Sequence, residues 1–114
     1  MDDLLRKSLL FDFYGELLTK HQKEVYENIV FNDFSISEVA RDSNISRQSV
    51  HDMIKRCSDS LEKYESRLHL VEKFINTKNE IKEIQKIALN IKETNDLKYI
   101  DDIIEMSEKI LKDI

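Results

Sequence analysis

Apolar residues recur every three or four positions along almost the whole chain, the spacing of helices with one buried side. Six helices are predicted. The first runs from about Asp3 to Leu18, with Leu4, Leu5, Leu9, Phe13, Leu17 and Leu18 as a wide apolar face and Phe11 and Tyr14 beside it. Gly15 falls inside this helix, where it costs about 1 kcal/mol relative to Ala, and it marks either a bend or a close helix contact. Thr19 followed by Gln22 has the capping-box spacing, so a second helix is expected from Lys20 to about Phe31, with Val25, Tyr26, Ile29 and Val30 apolar. Ser35 and Glu38 repeat the box and start a third helix, Ile36 to Asp42. Ser46 caps a fourth, which extends through Met53, Leu61 and Tyr64 to about Arg67.

The third and fourth helices carry the spacing of a helix-turn-helix. Val39 and Ala40 lie on the short helix, and Asn44 follows four residues after Ala40, where the turn needs a residue tolerant of a left-handed backbone. Ile45 then plugs the gap between the helices, and Val50, Met53 and Ile54 return at helical spacing on the second. Leu17, Val25, Ile29, Val39, Ala40, Ile45, Val50 and Met53 are expected to meet in one core.

Beyond Leu68 the pattern changes. Leu70, Phe74, Thr77, Ile81, Ile84, Ala88 and Ile91 follow alternating steps of four and three, close to a heptad seam. Thr94, Asn95 and Asp96 interrupt it, and Leu97, Ile100, Ile104, Ser107, Leu111 and Ile114 resume it. This predicts a helical hairpin or two arms of an oligomer. The organisation expected is an all-α protein: a helix-turn-helix domain over residues 1–67 and a C-terminal helical extension over residues 68–114. So much apolar seam on so small a chain predicts a homodimer, with the positions from Leu70 onward in its interface.

Composition supports helices and narrows the chemistry. The chain has 114 residues, no Pro, one Gly and 36% charged side chains. Cys57 stands alone, so no intramolecular disulfide forms. His21, His51 and His69 fall in different helices, and no phosphate loop or nucleophilic constellation is present, so no catalytic residue, metal or cofactor is expected. No apolar run approaches the ~20 residues of a membrane span, and the N-terminus has no signal-peptide pattern; a soluble, cytoplasmic protein is expected.

The net charge of −5 opposes nucleic-acid binding by charge alone. The helix-turn-helix is locally different: from Arg41 to Arg56 four cations (Arg41, Arg47, Lys55, Arg56) outnumber Asp42 and Asp52, a balance of +2. Arg47, Gln48, Ser49, His51, Lys55 and Arg56 are the candidate nucleic-acid-binding residues of a recognition helix over about residues 46–67. Arg47 and Gln48, in the first turn, suit base edges; Lys55 and Arg56 suit phosphates. Asp52 among them either accepts from a cytosine amino group or pairs with Arg56 one turn on.

Two blocks carry a family resemblance. The first is L-L-F-D-F-Y-G-E-L-L-T, Leu9 to Thr19. The second is S-I-S-E-V-A-R-D-S-N-I-S-R-Q-S-V-H-D-M-I-K-R, Ser35 to Arg56, followed by L-E-K-Y-E from Leu61 to Glu65. Together they resemble the YlxM family of small bacterial helix-turn-helix proteins, over Leu4 to about Phe74. The second block is also similar to the promoter-recognising fourth region of sigma factors, within the winged-helix superfamily but without a clear wing. The resemblance implies a role with the signal recognition particle, whose RNA and GTPase become the expected partners. Three readings stand: an accessory or regulatory factor of that particle, a transcription regulator reading DNA, and a protein-interaction module in which the helix-turn-helix is only scaffold.

Overall fold

The computed structural model describes residues 2–114. It contains α1 (Asp3–Tyr14), α2 (Lys20–Val30), α3 (Ile36–Ser43), α4 (Arg47–Leu68), α5 (Leu70–Thr94) and α6 (Ile100–Asp113), with short 3-10 turns at Gly15–Leu17 and Leu97–Tyr99 and no strand among the described residues. The all-α expectation is met, and no β wing is present among these residues. The chain forms two compact units, residues 1–71 and 72–114.

In the first unit the capping residues set the helix starts. Thr19 accepts from the Gln22 backbone N–H at 3.2 Å while the Gln22 side chain accepts from Thr19 N–H at 3.1 Å, a complete capping box. At Ser35 only the hydroxyl half forms, accepting from Glu38 N–H at 3.0 Å. Val25, Val39, Ala40 and Val50 make a buried cluster from α2, α3 and α4, and Ile29, Ile36, Ile45, Met53 and Ile54 pack against it. Leu10, Tyr14, Tyr26, Cys57, Leu61 and Val71 are also buried.

Leu17 is the exception to the expected core: it is 55% exposed. The reason lies in α1, which ends at Tyr14 rather than Leu18, so the 3-10 turn carries Leu17 outward. The buried side of α1 is also not the Leu4–Leu5–Phe13 face, which stays exposed, but the Leu10–Tyr14 side. Polar contacts border that side. Arg6 lies on it and forks onto Glu62 of α4, Nε to Oε1 at 2.9 Å and the guanidinium to Oε2 at 2.6 Å. Gly15 sits where α1 gives way to the 3-10 turn, with an ordinary right-handed backbone (φ −57°), and a Cβ there would lie 3.2 Å from the ring of Phe11 in the preceding turn of α1. That ring is itself held against Tyr26 and Phe31, with centroids 5.9 and 5.3 Å away.

A polar knot closes this unit. The Tyr14 hydroxyl donates to Glu65 Oε1 at 2.6 Å and accepts from Leu70 N–H at 3.1 Å. The same Glu65 oxygen accepts from Val71 N–H at 2.9 Å. Two otherwise orphaned donors at the start of α5 are thereby satisfied. His69 adopts the left-handed conformation (φ 57°) and is the single residue between α4 and α5.

In the second unit α6 runs back along α5. Lys109 Nζ lies 3.7 Å from Glu80 Oε1, and Tyr99 lines a small cavity with Glu83, Ile87 and Asn90 near the other end. Ile84, Ile87 and Ile91 of α5 and Ile103, Met106 and Ile110 of α6 are half-buried at helical spacing. No residue from 72 to 114 is fully buried.

Candidate nucleic-acid interface

The site starts with a turn. Asn44 is left-handed (φ 55°, ψ 45°), and its N–H reaches the carbonyls of Ala40 and Arg41. Ile45 N–H returns to the Ala40 carbonyl at 3.0 Å, and its half-buried side chain packs on the core cluster. This left-handed exit from α3 reverses the chain in three residues. Ala at position 44 should therefore cost about 1 kcal/mol, because it lacks the local bonding that eases this conformation, while Gly should be within a few tenths of the parent. Urea midpoints of the two variants check this; equal midpoints for Ala and Gly would remove the turn argument.

Ser46 then caps α4. Its Oγ accepts from Ser49 N–H at 3.0 Å, and its hydroxyl donates to Ser49 Oγ at 2.8 Å. Ser49 is thus engaged in the cap. The first turn of α4 carries no acidic residue, so the positive end of the helix dipole is unopposed there.

All six candidate residues, Arg47, Gln48, Ser49, His51, Lys55 and Arg56, are exposed. They do not share one strip. With about 100° per residue, the buried Val50–Cys57–Leu61 line defines the inner side of α4, and Gln48, Asp52 and Lys55 face away from it. Arg47 and His51 form one flank, and Ser49 and Arg56 the other. Lys55 and Arg56, expected to act alike, lie about 100° apart around the helix. The arrangement is a polar centre between two flanks that each carry one arginine.

Asp52 is paired within α4, though not with Arg56. Gln48 Nε2 donates to Asp52 Oδ1 at 3.0 Å, from the preceding turn rather than from Arg56. The Gln48 amide still offers its carbonyl and a second N–H, so the pair presents both donor and acceptor atoms outward. Beside this face, Glu62 is neutralised by Arg6, which lowers the acidic load on the middle of α4. Cys57 lies on the opposite, buried side; desolvation pushes its thiol pKa up, so the thiolate needed for nucleophilic chemistry is disfavoured.

A second concavity of about 210 Å³ lies between α2 and α3, lined by His21, Glu24, Asn28, Phe34 and Asp42 among others, with His21 Nε2 3.3 Å from Ser43 Oγ. It contains no sequence-predicted site residue.

Comparison with known proteins identifies the family. Residues 1–103 match the family described as "Putative helix-turn-helix protein, YlxM / p13 like". The chain belongs to that family. The UPF0122 protein of Acetivibrio thermocellus is 40% identical over 116 residues, covering 98% of this chain and 99% of the relative. One from Caldanaerobacter subterraneus subsp. tengcongensis is 48% identical over 86 residues, 75% of this chain and 71% of the relative. The UPF0122 protein YlxM of Bacillus subtilis is 37% identical over 110 residues, 96% and 97% of the two chains. Family similarity thus runs well beyond Phe74, through α5 and into α6. The heptad-like spacing there is too generic to carry such a resemblance by inspection.

Proposed function

We propose that this chain binds nucleic acid through the exposed side of α4, as an accessory or regulatory protein of the signal recognition particle whose target combines that particle's RNA with its GTPase. The observation that carries nucleic-acid binding is the polar Gln48–Asp52–Lys55 centre set between the Arg47 and Arg56 flanks, on a helix presented by the Asn44 turn. The composite target rests on two things. One is the family resemblance of the Leu9–Thr19 and Ser35–Arg56 blocks. The other is charge: a chain of net charge −5 needs a second contact, to protein, to supplement a small cationic face. An A-form RNA duplex hides its base edges in a narrow groove, so a loop or bulge of the RNA is the part such a helix can address.

Fluorescence anisotropy with signal-recognition-particle RNA and with random duplex DNA, each across a salt series, tests this. RNA should bind more tightly, and more tightly again with the GTPase present. Arg47→Ala with Arg56→Ala should weaken binding to every sequence and lower the salt slope by about 1.5 units, since each phosphate contact contributes ~0.7–0.9. Gln48→Ala should instead narrow the difference between sequences. A discrete footprint on DNA would favour a transcription regulator. Parent-like binding by the double variant at every salt concentration would remove the interface, and absence of binding to either nucleic acid would favour the scaffold reading.

A further inference from the structure

The cleft between α2 and α3 takes its lining from those two helices and the turn that joins them, with nothing from α4. Val25 and Val39, each nearly inaccessible, form its floor. Glu24 stands on the α2 side and Asp42 on the α3 side, both exposed. Phe34 lines it from the turn. Its ring is 38% exposed and stacks on no other ring among the described residues, whereas Phe11, Tyr26 and Phe31 pack together nearby. The turn fixes where Phe34 sits. Asp33 is left-handed (φ 60°), and Phe34 N–H donates to the Asn28 carbonyl at 3.0 Å. Asn28 Oδ1 in turn accepts from Asn32 Nδ2 at 3.1 Å. An aromatic ring is thus held at a concave, acidic surface instead of being drawn into the core.

We propose that this cleft receives an arginine side chain from a basic segment of a partner protein. The guanidinium lies between the Glu24 and Asp42 carboxylates and against the Phe34 ring, and its methylenes rest on Val25 and Val39. This goes beyond nucleic-acid binding and requires neither α4 nor RNA. Three arguments select the occupant.

The first is charge. Glu24 and Asp42 form no hydrogen bond or ion pair with any described residue. The cations of the same helices point elsewhere. With about 100° per residue, Lys20 and Lys23 lie about 90° and 150° around α2 from its lining side, and Arg41 lies about 160° around α3 from Val39. Lys23 is also paired with Glu16. Glu38 stands one turn before Asp42 and extends the acidic edge. Two unpaired carboxylates over an apolar floor attract a cation more strongly than the same groups on a flat surface.

The second is size. At about 210 Å³ the cleft falls short of the ~300–1,000 Å³ of small-molecule pockets. It has room for one long side chain, which a larger partner delivers.

The third is the chemistry of the walls. A metal ion or a strongly hydrated ammonium uses the carboxylates and gains little from Phe34 or the valines. Arginine uses all of them: its weakly hydrated, planar head stacks on an aromatic ring while donating to carboxylates, and its stem covers apolar surface.

The test titrates the ¹⁵N-labelled full chain with the blocked hexapeptide Ala-Arg-Ala-Ala-Arg-Ala and with its lysine counterpart, following amide shifts. Shifts should centre on residues 21–28 and 33–43, and the arginine peptide should bind about threefold more tightly. Glu24→Gln with Asp42→Asn should weaken its binding by ~10-fold or more, since two charge-assisted partners are lost. Phe34→Leu keeps apolar bulk and should erase the preference for arginine. All three positions are exposed, so the dispersion of each variant's spectrum checks that its fold persists. The two binding surfaces fail separately. Arg47→Ala with Arg56→Ala should take the peptide as the parent does, and the Glu24, Asp42 variant should keep the parent's salt slope with RNA. No shift at millimolar peptide, shifts centred on the acidic residues of α6, equal binding of the two peptides, or parent-like binding by the Glu24, Asp42 variant would each overturn the proposal.

Discussion

Glu65→Ala should destabilise the protein by about 3 kcal/mol, one of the two largest effects expected of any single substitution. Glu65 is only 7% exposed, and one of its oxygens holds both the Tyr14 hydroxyl and the Val71 N–H. Removing the carboxylate orphans two buried donors, each at ~1–3 kcal/mol. Glu65→Gln keeps an acceptor in place and should cost about half as much. Urea unfolding at pH 7 followed by dichroism separates these cases; equal losses for Ala and Gln would show that the hydrogen bonds are not what matters. The Tyr14 side of the knot adds a pH signature. Burial, and then the bond to the Glu65 carboxylate, hold the Tyr14 pKa above its ordinary value of 10.0. The folded state thus keeps the proton more tightly than the unfolded one. This contribution is complete below about pH 10 and is lost as pH rises through the folded pKa. Buried Cys57 has the same sign from a lower starting point, its ordinary value being 9.0. Tyr14→Phe should remove the upper part of the alkaline decline and leave the lower part.

The other large effect is expected at Leu61. It is fully buried on α4, and truncation to Ala should cost ~2–5 kcal/mol through lost burial and the cavity left behind. Leu17→Ala supplies the contrast. A core position would lose as much; at 55% exposure the expected change is within about 0.5 kcal/mol. Paired denaturant curves decide it, and a Leu17 loss matching that of Leu61 would contradict the packing of α1.

These contrasts mark what was legible in the sequence. Local chemistry was: the Thr19, Ser35 and Ser46 hydroxyls start α2, α3 and α4, and Asn44 takes the left-handed turn. Each of these signals acts within a few residues of its own position, and so does the periodicity that brings Val25, Val39, Ala40 and Val50 together. The side of α1 that faces inward was not legible, because leucines and phenylalanines occur around most of that helix. The contacts that mark the inward side, Arg6 to Glu62 and Tyr14 to Glu65, join residues 56 and 51 positions apart. A polar residue opposite another polar residue leaves no periodic mark. On α4, composition alone located the exposed cations. It missed that Lys55 and Arg56 point to different flanks and that Asp52 is held by Gln48.

The seclusion of Cys57 has a practical side. With one thiol in the chain, buried and reluctant to ionise, the native protein offers maleimides and oxidants almost nothing to attack. A cysteine introduced on the surface, at position 48 on α4 or position 81 on the hairpin, becomes the site that accepts a fluorophore or spin label. Both surfaces can thus be instrumented separately, without first engineering the native thiol away.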